Sequence, residues 1–133
     1  MSNSEPNYDT DIYIADTLGE LGLFYRISPF ALIGRSLSDD GGGGHNPIEP
    51  ASLGTPVMTG AHHFNFAQVF ADLMQAGACI TTDENILADD VGQLLVDVDQ
   101  RTVMGAAGAE VVQMNRGAKQ RSVALVEQQL SAD

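Results

Sequence analysis

Pro56-Val57-Met58-Thr59, Phe66-Ala67-Gln68-Val69-Phe70-Ala71-Asp72-Leu73-Met74, Gly77 and Ala78-Cys79-Ile80-Thr81 decide the fold. The two outer runs are four residues long, without polar alternation, and read as buried parallel strands. Between them Phe66, Val69, Phe70, Leu73 and Met74 recur at i, i+3, i+4, i+7 and i+8, which places five apolar side chains on one helical face. Gly77 stands where a left-handed C-cap residue is commonly needed. Strand, helix and strand in this order make a βαβ unit with parallel pairing and a right-handed crossover.

The unit extends both ways. Ile12-Tyr13-Ile14-Ala15 and Phe30-Ala31-Leu32-Ile33 read as two further strands upstream. Leu87, Val91, Leu94, Leu95 and Val98 form a second helical stripe downstream. The expected fold is α/β, a partial Rossmann-like parallel sheet of about four strands with flanking helices, followed by C-terminal helices. Residues 1–10 read as a polar lead-in, 11–98 as the sheet domain, 99–130 as C-terminal helices of that domain and 131–133 as a tail. Helix breaks are expected near Val98-Asp99 and at Asn115-Arg116-Gly117.

At 133 residues there is room for one domain, and 44% hydrophobic against 18% charged residues permits a packed core. Six Lys+Arg against eighteen Asp+Glu give a net charge of −12. Nucleic acids and anionic membranes are recognised by clustered cations, so both are excluded as partners on composition. No apolar run approaches the ~18–20 residues that span a bilayer, and Met1-Ser2-Asn3-Ser4-Glu5-Pro6 lacks the basic and apolar parts of a signal peptide. A soluble, cytoplasmic protein is expected. Cys79, the single cysteine, has no partner for an internal disulfide and reads as a small core residue.

In an open α/β sheet, ligands bind outside the carboxyl ends of the strands, and the unusual residues of this sequence collect there. The strongest signal is Gly41-Gly42-Gly43-Gly44-His45-Asn46-Pro47-Ile48-Glu49-Pro50. Asn46 suits an N-cap, Pro47 the first helical position, and Glu49 a reciprocal bond to the cap's N–H. One reading is a glycine-rich turn into a capped helix. The other is an anion site, in which glycines let a bulky group approach the main chain and N–H groups at the helix start face it. Thr17-Leu18-Gly19-Glu20 repeats the capping pattern on a second loop. His45, His62 and His63 do not form a metal-ligand set at usual spacings, so no metal is expected.

Gly43-Gly44-His45-Asn46-Pro47-Ile48-Glu49-Pro50-Ala51, Leu53-Gly54, Pro56-Val57 and Gly60-x-His62-x-Phe64-Asn65-Phe66 resemble the donor-domain signature of 3-deoxy-D-manno-octulosonic acid (Kdo) transferases. Asp16-Thr17-Leu18-Gly19-Glu20-Leu21 and Asn115-Arg116-Gly117-Ala118 resemble two further segments of that family, in the same order. The resemblance runs from about residue 11 to 130. It implies the donor-binding portion of a two-domain glycosyltransferase of the GT-B kind, which moves Kdo from CMP-Kdo to a lipid A precursor in lipopolysaccharide core biosynthesis. It further implies that Gly43, Gly44, His45 and Asn46 contact the donor's phosphate and sugar, that Glu49 reaches the ribose hydroxyls, that Gly19 and Glu20 flank the nucleotide, and that Asn65 joins this donor-binding set.

No cofactor and no catalytic residue are implied in this chain, because the family's catalytic carboxylate is expected in a missing N-terminal acceptor domain. That enzyme is expected at the cytoplasmic face of the inner membrane. A chain lacking the upstream strands is expected to leave a sheet edge uncovered and to self-associate through it. The alternative reading is a non-catalytic CMP- or anion-binding α/β module, or an inactive remnant.

Overall fold

The computed structural model describes residues 6–16 and 18–130, the side chains of 118–130 excepted. The elements run α1 (Leu21–Ile27), β1 (Ala31–Leu32), α2 (Ile48–Ser52), β2 (Val57–Thr59), a 3-10 turn (Phe64–Phe66), α3 (Ala67–Gln75), β3 (Cys79–Thr81), α4 (Leu87–Val96) and α5 (Val98–Leu130). The sheet is parallel, in the order β1-β2-β3, with Ala31 opposite Val57 and Val57 opposite Cys79. This is the α/β class that the alternation predicts.

Adjacent residues on a strand face opposite sides, and β2 uses both. Val57 joins Ile33, Ala51, Phe70, Leu73, Val111 and Val112 on the side covered by α2, α3 and the later part of α5. Met58 joins Leu94 and Met104 on the side covered by α4 and the start of α5. Phe70 and Leu73 are fully buried, and Phe66, Val69 and Met74 pack against the same core, so the predicted stripe is the buried face of α3. Gly77 takes φ +72, its N–H donates to the Met74 carbonyl at 3.0 Å, and the Ala78 N–H donates to the Leu73 carbonyl at 2.8 Å. That paired closure lets the chain turn directly from α3 into β3.

Three expectations are corrected. Residues 12–15 form no strand: Ile12 is 83% and Ile14 81% exposed, and the Tyr13 ring lies 6.3 Å from that of Phe24. A strand gains its stability from the ladder beside it, and this segment has none. Among the described residues the sheet therefore has three strands. Nor does a break occur at Asn115-Arg116-Gly117, because α5 runs unbroken from Val98 to Leu130; one Gly and one Asn cost only ~1 kcal/mol each within a long helix.

The break expected near Val98-Asp99 falls at Asp97. The Asp97 carboxylate accepts the Gln100 N–H at 2.8 Å, and the Arg101 guanidinium donates to the last carbonyls of α4, those of Leu94 and Leu95. Residues 131–133 lie outside the described residues. No helix of the described residues is long and apolar enough to cross a membrane.

Candidate functional site

The loop after β1 and the loop after β2 meet at the carboxyl end of the sheet. Arg35 takes φ 58, a left-handed angle uncommon for any residue with a Cβ. It doubles the chain back, so that the Gly44 N–H donates to the Arg35 carbonyl at 2.9 Å and the His45 N–H to the Gly34 carbonyl at 3.2 Å. Amides just ahead of Pro47 were expected to face a ligand. Those of Gly44 and His45 are instead engaged inside the fold, because the loop pairs with the end of β1. The amides of Asn46 and Glu49 have no hydrogen-bond partner among the described residues.

The glycines have a physical cause that the sequence does not display. At Gly43, with φ +66, a Cβ would stand 2.6 Å from the Phe64 ring and 2.7 Å from the Asn65 carboxamide. The bulky group fitted against this main chain is thus the protein's own 64–65 segment. Gly43 and Gly44 are buried, while His45, Asn46 and Glu49 are exposed.

The capping box is half formed. The Asn46 Oδ1 accepts the Ile48 N–H at 2.9 Å, as an N-cap does. The other half is absent: Glu49 makes no bond from its carboxylate to the Asn46 N–H among the described residues. Its carboxylate lies instead beside the first turn of α1, 3.5 Å from where a Cβ on Gly22 would be. Burial, and after it the charge of Glu49, push the Tyr25 phenol above its ordinary pKa. The Tyr25 carbonyl in turn accepts the Thr55 hydroxyl at 2.8 Å, which fastens α1 to the start of β2.

Gly19 (φ +86) and Glu20 lead into α1, which packs on α2. The Glu20 carbonyl accepts the Leu23 and Phe24 N–H groups. Thr17, the cap expected there, lies outside the described residues. Asn65 belongs to the same neighbourhood through bonds to the glycine loop: its N–H donates to the Gly43 carbonyl at 3.0 Å, and its Nδ2 to the Gly42 and Gly44 carbonyls at 2.9 and 3.3 Å. The structure therefore gathers Gly43, Gly44, His45, Asn46 and Asn65 in one cluster, with Glu49 linking it to the start of α1.

The three histidines face different partners. The His45 ring covers Gly34, with Cδ2 3.2 Å from where a Cβ would be. The Nδ1 of His62 is 3.7 Å from the Asp39 carboxylate. The Nδ1 of His63 lies 2.9 Å from the Gly60 carbonyl, and its ring is tilted on Phe70 at 4.7 Å. Among the described residues no group of three His, Cys, Asp or Glu could hold a metal. Cys79 is buried, and burial pushes its thiol up to about 12.

Sequence reading missed Ser36, which is fully buried between the two loops. The available signal was a serine just past a strand end, where hydroxyls commonly bond to the main chain.

No family model matches the chain. It is 39% identical over 127 residues to the 3-deoxy-D-manno-octulosonic acid transferase of Haemophilus influenzae, covering 94% of this chain and 29% of that protein. It is 33% identical over 126 residues to the same enzyme of Bordetella pertussis, with the same two coverages. The chain thus spans under a third of the length of these curated relatives. Among solved structures it is similar to the C-terminal CMP-Kdo binding domain of WaaA from Acinetobacter baumannii, at 31% identity and a TM-score of 0.72, over 78% of this chain and 54% of that one. By sequence over nearly its whole length, and by fold, the chain belongs to the 3-deoxy-D-manno-octulosonic acid transferase family.

Proposed function

We propose that this chain carries the donor site of a Kdo transferase, holding CMP-Kdo at the carboxyl end of the sheet for transfer to a lipid A precursor. The observation that supports this reading most is the likeness in sequence and fold to a CMP-Kdo binding domain. The rim clusters Gly43, Gly44, His45, Asn46 and Asn65 of the residues assigned to the donor, with His45, Asn46 and Glu49 exposed. CMP-Kdo is anionic and this chain carries −12, so its phosphate is held by dipoles and selected side chains rather than by a basic surface. The Asn46 and Glu49 amides and the His45 ring supply donors for it, and the Glu49 carboxylate accepts from the ribose hydroxyls.

The chemical step is assigned to no residue of this chain. The acceptor lipid, and the base that activates its hydroxyl, belong to the other half of a GT-B enzyme working at the inner membrane. The donor is a substrate, and no cofactor takes part.

Calorimetric titration of the chain with CMP tests the reading. Saturable heat is expected. Its absence would leave a fold without its ligand, and Kdo transfer by the chain alone would overturn the assignment of chemistry elsewhere.

A further inference from the structure

The glycine loop, residues 41–44, has little conformational restraint of its own, because glycine occupies both halves of φ space readily. Its order comes from partners outside it: the Asp40 carboxylate accepts the Gly42 N–H at 2.8 Å, the Arg35 carbonyl accepts the Gly44 N–H, and Asn65, held next to the loop by the segment that Ser36 anchors, bonds to its carbonyls. Ser36 is fully buried; its hydroxyl donates to the Ile33 carbonyl at 2.6 Å and accepts the Gly60 N–H at 2.8 Å, while its carbonyl accepts the His62 N–H at 2.9 Å. One residue thereby ties the end of β1 to the segment that follows β2.

Asn65, at the far end of that segment, takes up three successive carbonyls of the loop. Its main-chain N–H serves Gly43 and its side-chain amide serves Gly42 and Gly44. The carboxamide has one sensible orientation there, since the flipped amide would set Oδ1 against two carbonyl oxygens. Both donors of the amide thus have acceptors within the protein.

We propose that Asn65 is a positioning residue for the donor, with Ser36 as its buried support: they set the shape of residues 41–46, and Asn65 acts on donor affinity through the loop. This rests on the donor-site reading above. Holding a glycine-rich loop in its bound shape before the ligand arrives removes an ordering cost from binding.

The test uses Asn65→Asp, an exposed and nearly isosteric change that removes both donated side-chain bonds. CMP affinity is measured by calorimetry well below each protein's melting temperature, and the Gly42, Gly43 and Gly44 amide resonances are recorded without ligand. The expected result is a loss of CMP affinity of about tenfold or more, with these resonances displaced and the melting temperature within a few degrees of wild type. Unchanged affinity despite displaced resonances overturns the proposal. Lost affinity with resonances in place overturns it too, since Asn65 would then touch CMP directly. A Ser36→Ala chain that melts cooperatively and binds CMP like wild type removes Ser36 from the assignment. If the wild-type chain does not bind CMP, the donor-site reading falls and the proposal with it; if wild type and Asn65→Asp bind equally, the proposal falls alone.

Discussion

Gly105 of α5 meets Gly54 main chain to main chain: a Cβ on Gly105 would collide with the Gly54 carbonyl. One turn later a Cβ on Gly108 would stand 3.4 Å from the Ala51 Cβ. These small residues let α5 close on α2 and on the loop leaving it, behind the strand that presents the site.

Gly105→Ala is therefore expected to destabilise the fold despite alanine's better helix propensity. The propensity gain is at most ~1 kcal/mol, and overpacking against an immovable carbonyl costs ~3 kcal/mol. Gly92→Ala provides the contrast. Gly92 lies within α4 with nothing within 4 Å of an added Cβ, so ~0.5–1 kcal/mol of stabilisation is expected. Denaturant unfolding of both variants checks the opposite signs.

The glycine loop makes a graded prediction. Gly41 has φ +77 and open space around an added Cβ, while Gly43 combines φ +66 with close approach to Phe64 and Asn65. Gly41→Ala should cost ~1 kcal/mol from the left-handed backbone alone. Gly43→Ala should cost more and abolish CMP binding, because either the loop or residues 64–65 must move. Equal effects in melting and titration would contradict this.

Glu49 makes no hydrogen bond with its carboxylate among the described residues, so Glu49→Gln should leave stability within ~0.5 kcal/mol of wild type. Burial and, second, the Glu49 charge raise the Tyr25 pKa. Removing the charge should therefore lower that pKa part of the way, readable from phenolate absorbance during alkaline titration. CMP affinity should fall in the same variant.

Cys79 adds a pH dependence of known sign. Its thiol is pushed up to about 12 from 9.0 by burial, so above pH 9 the unfolded chain ionises the thiol while the folded chain keeps its proton. The unfolded state then binds fewer protons, and stability falls as pH rises from about 9 towards 12. Relative to Cys79→Ala, wild type should lose ~1.4 kcal/mol per pH unit in that window, measured by denaturant unfolding. Below pH 8 the two should keep a constant difference.

Features with a local cause were legible in the residues alone. The Phe66-to-Met74 stripe and the Gly77 closure of α3 each depend on residues within two helical turns, so periodicity and a single glycine specify them. Asn46 capping Ile48 is equally local.

What tertiary structure decided is what needs a distant partner. Residues 12–15 are apolar enough for a strand, but pairing depends on a neighbouring ladder. Gly43 must be glycine because of Phe64 and Asn65, more than twenty positions away. Ser36 became visible only once Gly60 and His62 stood beside it. Local sequence sets backbone preference over a few residues, whereas close packing and buried hydrogen bonds depend on which segments the whole chain brings together.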